Sequence, residues 1–179
     1  KSFQAFVTML QKGQVEYDLG SEYIIRGFGS VANGKFVVGH RAYGIVVIPP
    51  DMENVDKRTL ELLKEFAGQG GHIVNLGKLQ YVDGAVAGDL GLNTVKGGED
   101  QLKADDMFVT VFGGDLFHQR RQLKDGQLLF LANSDMHDAT HVRLKTTGKK
   151  VLWLNTFTGK IEAYPVRQGV ITCRIPPAG

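Results

Sequence analysis

Tyr43-Gly44-Ile45-Val46-Val47-Ile48-Pro49-Pro50 opens the stretch that decides the fold, and Gly70-Gly71-His72-Ile73-Val74-Asn75-Leu76-Gly77 closes it. The first part is a short apolar run rich in β-branched residues. It stops at two prolines, which cannot donate to a sheet ladder, and so predicts a buried strand from Tyr43 to Ile48. Between the two parts, Leu60, Leu63, Phe66 and Ala67 recur at helical spacing. Asp56 stands where an N-cap belongs, and Val55 is placed to staple onto Leu60. Gly68, Gly70 and Gly71 offer left-handed backbone at low steric cost and predict the helix end. His72 to Leu76 is a second apolar run. Strand, helix and strand at this separation predict a right-handed parallel crossover, the unit of an α/β layer.

Working outward, Phe3, Phe6, Val7 and Leu10 follow helical spacing and Gly13 closes the pattern, so the chain opens inside a helix. Val15 to Asp18 is a strand candidate, and Ser21 is placed to cap a short helix carrying Tyr23, Ile24 and Ile25. Asn33-Gly34 is a turn before a further strand at Lys35 to Val38. With the organising stretch, this predicts a few parallel strands with helices on their faces, as in a doubly wound sheet. Periodicity fades from residue 78 to 105, where glycines alternate with isolated apolar residues, and the domain boundary is placed there: 1–105 and 106–179. Beyond it, seven β-type runs follow: Met107 to Phe112, Leu116 to Leu123, Gln127 to Asn133, His141 to Lys145, Val151 to Asn155, Ile161 to Tyr164 and Val170 to Ile175. Turn signals such as Asp125-Gly126 and Thr158-Gly159 separate most of them, which predicts an antiparallel β-sandwich. The fold class read here is α/β plus all-β.

The chain has 179 residues, 42% of them hydrophobic, enough for packed cores. A net charge of +2 with interspersed signs gives no dense basic stripe, so no nucleic-acid partner is expected. No run approaches the ~20 apolar residues of a membrane span, and no secretory leader is visible, so a soluble chain without a membrane partner is expected. The start at Lys1 without Met points to a processed product or a fragment. Cys173 is alone, which leaves neither a disulfide framework nor a cysteine zinc site within one chain.

Few residues stand out for chemistry. Gly27-Phe28-Gly29-Ser30-Val31-Ala32 has the letters of a dinucleotide fingerprint but a helix before it and a turn after it, so it reads as a glycine-ended helix, and no cofactor is expected. No nucleophile elbow is present. His137 and His141 with Asp135 and Asp138 read as solvated turn residues rather than a metal centre, because a spacing of four unites two histidines only on a helix. Calcium, which asks only for oxygens, fits Asp135, Asp138 and backbone carbonyls. In the strand run, His118 and Arg120 share one face and Arg121 takes the other. One of them could bind a carboxylate or a sugar hydroxyl, or serve as edge-strand charge. Trp153, Phe157, Phe130 and Tyr164 could stack on sugar rings or fill a core. No pair of acidic residues is singled out as a glycosidase couple, and no catalytic or metal-binding residue is assigned.

Two stretches together carry a resemblance. Tyr43-Gly44-Ile45-Val46-Val47-Ile48-Pro49, Thr59-Leu60-Glu61-Leu62-Leu63 and Gly70-Gly71-His72-Ile73-Val74 resemble the flavodoxin-like, amidotransferase-like accessory domain behind the catalytic barrel of several glycoside hydrolases. Phe36-Val37-Val38-Gly39-His40-Arg41-Ala42-Tyr43 is similar to the approach to that strand in the α-L-rhamnosidase family 106. Phe117-His118-Gln119-Arg120-Arg121, Leu129-Phe130-Leu131-Ala132-Asn133 and Leu154-Asn155-Thr156-Phe157-Thr158-Gly159 resemble the β-sandwich that follows. Leu129 stands where that family has Tyr, Trp153 stands one place early, and Asn155-Thr156 stand where it has Asp-Pro. The resemblance implies an incomplete flavodoxin-like parallel sheet followed by a β-sandwich. It further implies a secreted or periplasmic carbohydrate-degrading parent whose catalytic acids lie on a barrel this chain lacks. The chain is then an accessory region whose partner is that barrel or a glycan, with His118, Arg120, Trp153 and Phe157 as candidate glycan contacts. The alternatives are a stand-alone carbohydrate-binding protein, or a small hydrolase or transferase using the crevice at the C-terminal strand ends near Pro49, Pro50 and Gly77.

Overall fold

The computed structural model describes residues 2–94, 102 and 109–178. It divides into two compact units, Lys1–Met9 with Tyr17–Leu102 and Leu10–Glu16 with Lys103–Gly179. The expected boundary at 105/106 lies outside the described residues, as do Met107 and Phe108 of the first expected strand of the second half. No described helix is long and apolar enough to cross a membrane.

In the first unit the organising stretch forms β4 (Ile45–Ile48), α3 (Lys57–Gly68) and β6 (His72–Asn75), with β4 and β6 parallel in the register Ile45↔His72 to Ile48↔Asn75. Thr59, Leu60, Leu62, Leu63 and Phe66 are the buried residues of α3. Their spacing of three and four puts one apolar stripe against the strands, and Leu62, Leu63 and Phe66 share a core with Ile25, Phe36, Ile48 and Ile73. The expected strand from Tyr43 to Ile48 is broken at Gly44: Tyr43 ends β3 (Arg41–Tyr43) and Ile45 begins β4. Asp56 occupies the N-cap position without capping through its side chain, which instead takes the Arg26 guanidinium. The orphan amide of Lys57 is satisfied by Asp83 Oδ1 at 3.0 Å, a carboxylate distant in sequence but close to the positive end of the helix. Of the three glycines expected to end α3 in left-handed backbone, only Gly70 does so, with φ +85°.

The remaining strands of this unit depart from the expected parallel set. α2 (Glu22–Phe28) runs directly into β1 (Gly29–Ala32), which pairs antiparallel with β2 (Lys35–Val38), and β2 pairs antiparallel with β3. Asn33-Gly34 forms the connecting turn with both residues at positive φ, the geometry that a two-residue hairpin loop prefers. Gly29 is required where α2 meets α3. A Cβ there would stand 2.4 Å from the Ile25 carbonyl and 2.9 Å from Leu62 Cδ1, so this glycine is needed for packing. Among the described residues, parallel pairing is confined to β4–β6 and to the short pair β5 (Asn54–Val55) with β7 (Tyr81–Val82), which β8 (Ala85–Val86) extends antiparallel. The strand expected at Val15 to Asp18 does not form, and Leu10–Glu16 belongs to the second unit.

The second unit contains strands at all seven expected places: β9 (Val109–Phe112), β10 (Leu116–Gln122), β11 (Gln127–Asn133), β12 (Thr140–Lys145), β13 (Val151–Leu154), β14 (Ile161–Tyr164) and β15 (Val170–Ile175). Among the described residues their pairings are antiparallel: the hairpin β10–β11, the sheet β15–β12–β9 and the hairpin β13–β14. Leu116, Val142, Leu144, Cys173 and Ile175 form the core, with Leu129, Leu131 and Tyr164 packed against it. Among the described residues the protein is therefore a mixed helix-and-strand fold whose second unit is built from strands apart from the helical residues Leu10–Lys12.

Candidate functional site

Leu116 at the head of β10 is buried, and alternation along a strand then turns His118 and Arg120 inward with it. Phe117, Gln119 and Arg121 face out. What His118 and Arg120 meet comes from the end of α1 (Phe3–Lys12). Val15 N–H donates to Leu10 O (2.9 Å) and Gln14 N–H to Gln11 O (3.0 Å), the two bonds of a Schellman ending. The left-handed residue of that ending is Gln14, with φ 56°, rather than the expected Gly13. A side chain in this conformation costs roughly 1 kcal/mol, and its own contacts offset that cost. Gln14 Nε2 donates to Gln11 O (3.0 Å) and to Leu116 O (2.9 Å), which fixes the amide orientation and leaves Oε1 to accept.

The partner of that oxygen is His118 Nδ1, at 2.7 Å, so Nδ1 carries the proton. In the neutral ring Nε2 is then a bare acceptor. It is buried without a hydrogen bond, 3.6 Å from Glu16 Oε1. Arg120 holds that carboxylate through two bonds, from Nε to Oε1 (2.8 Å) and from Nη2 to Oε2 (2.6 Å). Burial pushes the imidazole pKa below its ordinary value and Arg120 adds to this, while Glu16 opposes it. The sign follows directly. A folded-state pKa below the unfolded one means the unfolded chain binds the proton first, so His118 favours folding fully above the ordinary histidine pKa. That contribution is lost as pH falls through the lowered value. We expect thermal stability to drop as pH falls below the ordinary histidine range, and His118→Asn, which keeps a donor for Gln14 but cannot titrate, to flatten that slope. An unchanged slope in the variant would assign the loss to other groups.

Trp153 and Phe157 sit on the other hairpin. Trp153 stacks on Tyr164 (ring centroids 5.4 Å apart, 26° between planes), and the Tyr164 hydroxyl donates to Thr172 O at 2.9 Å, tying β14 to β15. Burial raises the Tyr164 pKa. Phe157 is 94% exposed in the turn after β13. Asn155 shapes that turn, its Oδ1 accepting the amides of Phe157 (3.0 Å) and Thr158 (2.9 Å), a role an aspartate would fill equally. The four sequence candidates are thus two inward polar residues on β10 and two aromatics on β13 and the turn after it.

Asp135 is likewise structural. Its Oδ1 accepts the amides of His137 (2.8 Å) and Asp138 (2.9 Å), and these bonds lower its pKa. His141 stands apart on the outer face of β12, and no three His, Cys, Asp or Glu side chains among the described residues converge as a metal group. At the C-terminal strand ends, Leu76 N–H donates to Ile48 O and Lys78 N–H to Met52 O, both at 2.9 Å. Gly77 is packed so tightly there that a Cβ would stand 2.8 Å from Met52 O and 2.9 Å from Pro49 O. Those loops are hydrogen-bonded together, and beside them Asn75, Leu79, Asp89, Leu90, Leu92 and Thr94 line a depression of about 230 Å³. A depression of about 540 Å³ near the start of α3 is lined by Arg26, Asp56, Lys57, Arg58, Glu61 and Asp83; in it Arg26 pairs with Asp56 and Arg58 with Glu61, and Asp83 accepts the Lys57 amide.

Sequence reasoning did not pick out the outer apolar surfaces. On β10–β11, Phe117, Leu128 and Phe130 are exposed on one face, as the register Phe117↔Ala132, Gln119↔Phe130 and Arg121↔Leu128 requires. On β13–β14, Leu152, Leu154 and Ile161 are exposed on one face through Leu154↔Ile161 and Leu152↔Ala163. Strand alternation groups these residues, but which group meets water depends on the tertiary partner. Searches of family models, of curated proteins and of solved structures found no match to this chain.

Proposed function

We propose that this chain is an accessory region of a secreted or periplasmic, α-L-rhamnosidase-like glycoside hydrolase: a truncated flavodoxin-like layer followed by a β-sandwich, non-catalytic by itself, that scaffolds the catalytic barrel. The observation that carries the reading is the pair of apolar outer faces on the second unit. Leu154 and Ile161 are directly opposite each other and 51% and 62% exposed. Contiguous apolar surface of this kind, costing about 25 cal/mol per Å² in water, marks a protein-contact face. Meanwhile His118 and Arg120 are engaged in holding Gln14 and Glu16.

The test is association with a rhamnosidase barrel supplied in trans, measured by analytical ultracentrifugation, beside turnover of an aryl-rhamnoside by the chain alone. Association abolished by Leu154→Asp with Ile161→Asp, with the melting temperature held, is the expected result. Turnover above the protein-free blank would overturn the non-catalytic reading. Glycan binding is the second reading, favoured by the Trp153–Tyr164 stack and the exposed Phe157 ring. Retention on a glycan column that Phe157→Ala abolishes would decide in its favour.

A further inference from the structure

The outer face of the β9–β12–β15 sheet is cationic. Along β12, His141, Arg143 and Lys145 are exposed and alternate with buried Thr140, Val142 and Leu144. Pairing sets Arg174 of β15 beside His141 and Thr172 beside Arg143, and Phe112 of β9 on the other side of His141. No aspartate or glutamate occupies this face in the register. Arg143 and Arg174 are therefore diagonal neighbours across two strands, roughly 7–8 Å apart at their origins. Neither has a hydrogen-bond or ion-pair partner among the described residues, whereas Arg26, Arg58 and Arg120 are each paired with a carboxylate.

With a net charge of only +2 for the whole chain, this concentration of positive charge is local. Unpaired guanidinium groups side by side on an antiparallel sheet offer planar, two-pronged donors to carboxylate or sulfate oxygens. We propose that this face binds an anionic polysaccharide, one carrying carboxylate or sulfate groups, with Arg143 and Arg174 holding the anionic groups and the Thr172 hydroxyl and His141 meeting neighbouring sugar hydroxyls. The proposal rests on the carbohydrate reading above and adds the charge of the glycan and its place on the fold. Single-stranded nucleic acid fits less well, because such grooves interleave cations with stacking aromatics. Here the exposed ring of Phe112 lies beside His141 at the edge of the face, and the register places no aromatic between Arg143 and Arg174.

The experiment measures affinity of the whole chain for three polymers of one backbone, namely dextran, carboxymethyl-dextran and dextran sulfate, and for an oligothymidylate. Binding to one or both charged dextrans, weakened by added salt, is expected. Arg143→Gln with Arg174→Gln should weaken it about tenfold or more. Lys124→Gln with Lys160→Gln, which removes equal charge elsewhere, should leave it unchanged. The preferred charged dextran tells carboxylate from sulfate. Equal weakening by both double variants, or binding to no charged polymer, overturns the proposal. Binding to plain dextran that the arginine variants leave untouched overturns it while sparing the carbohydrate reading. Tighter binding to the oligonucleotide than to every dextran overturns both.

Discussion

Phe66→Ala is expected to destabilise the first unit by about 3–5 kcal/mol, a large part of the ~5–15 kcal/mol that holds a typical domain folded. Phe66 is fully buried and meets Phe36 edge to face, ring centroids 5.8 Å apart at 84°. Its ring also lies over the α-carbon of Gly71, where a Cβ would stand 2.2 to 2.4 Å from three ring atoms. Gly71 is thus required by packing: its residue follows the helix end closely enough that only a hydrogen can face the ring. Gly71→Ala should therefore destabilise by at least the ~1–3 kcal/mol of an overpacked core. The two changes touch the same space, so their costs should not add. Gly71→Ala in a Phe66→Leu background should cost less than in the wild type by more than about 0.5 kcal/mol. Urea unfolding of the four proteins checks this, and additive costs would show that the ring and the glycine do not compete.

Asn133→Ala should have the second largest effect, about 3–4 kcal/mol in the second unit, from up to four backbone groups left unsatisfied at ~1–3 kcal/mol each and partly rescued by water. Asn133 is buried at the end of β11. Its Oδ1 accepts the amides of Asp115 (3.0 Å) and Asp135 (3.1 Å), and its Nδ2 donates to the carbonyls of Asp138 (2.8 Å) and Pro176 (3.0 Å). One amide thus fastens the approach to β10, the loop before β12 and the segment after β15. Asn133→Asp should be nearly as damaging, since a second oxygen would face the two carbonyls that now receive N–H groups. If the two variants melt within about a degree of wild type, the assignment of this side chain as the junction of the unit fails. Gly114, whose Cβ would meet Asn133 Oδ1 at 2.8 Å and which has φ +59°, should tolerate no side chain for the same reason.

The sequence by itself determined the local elements. The apolar run ending at Pro49-Pro50, the helical recurrence of Leu60, Leu63 and Phe66, and the turn signals between the later runs each reflect a preference that a short segment expresses alone. α3, β6 and the seven later strands accordingly stand where periodicity puts them. Alternation likewise grouped His118 with Arg120 and set Arg121 opposite. Only the tertiary structure decided which group turns inward, because that depends on Gln14 and Glu16, 104 residues earlier in the chain. The same holds for Asp56, drawn from its cap by Arg26, for Val15, held in a helix ending rather than a strand, and for the antiparallel meander that took the place of parallel strands. Local pattern specifies which side chains share a face, while the free energy of burial, fixed by distant partners, selects the face that leaves water.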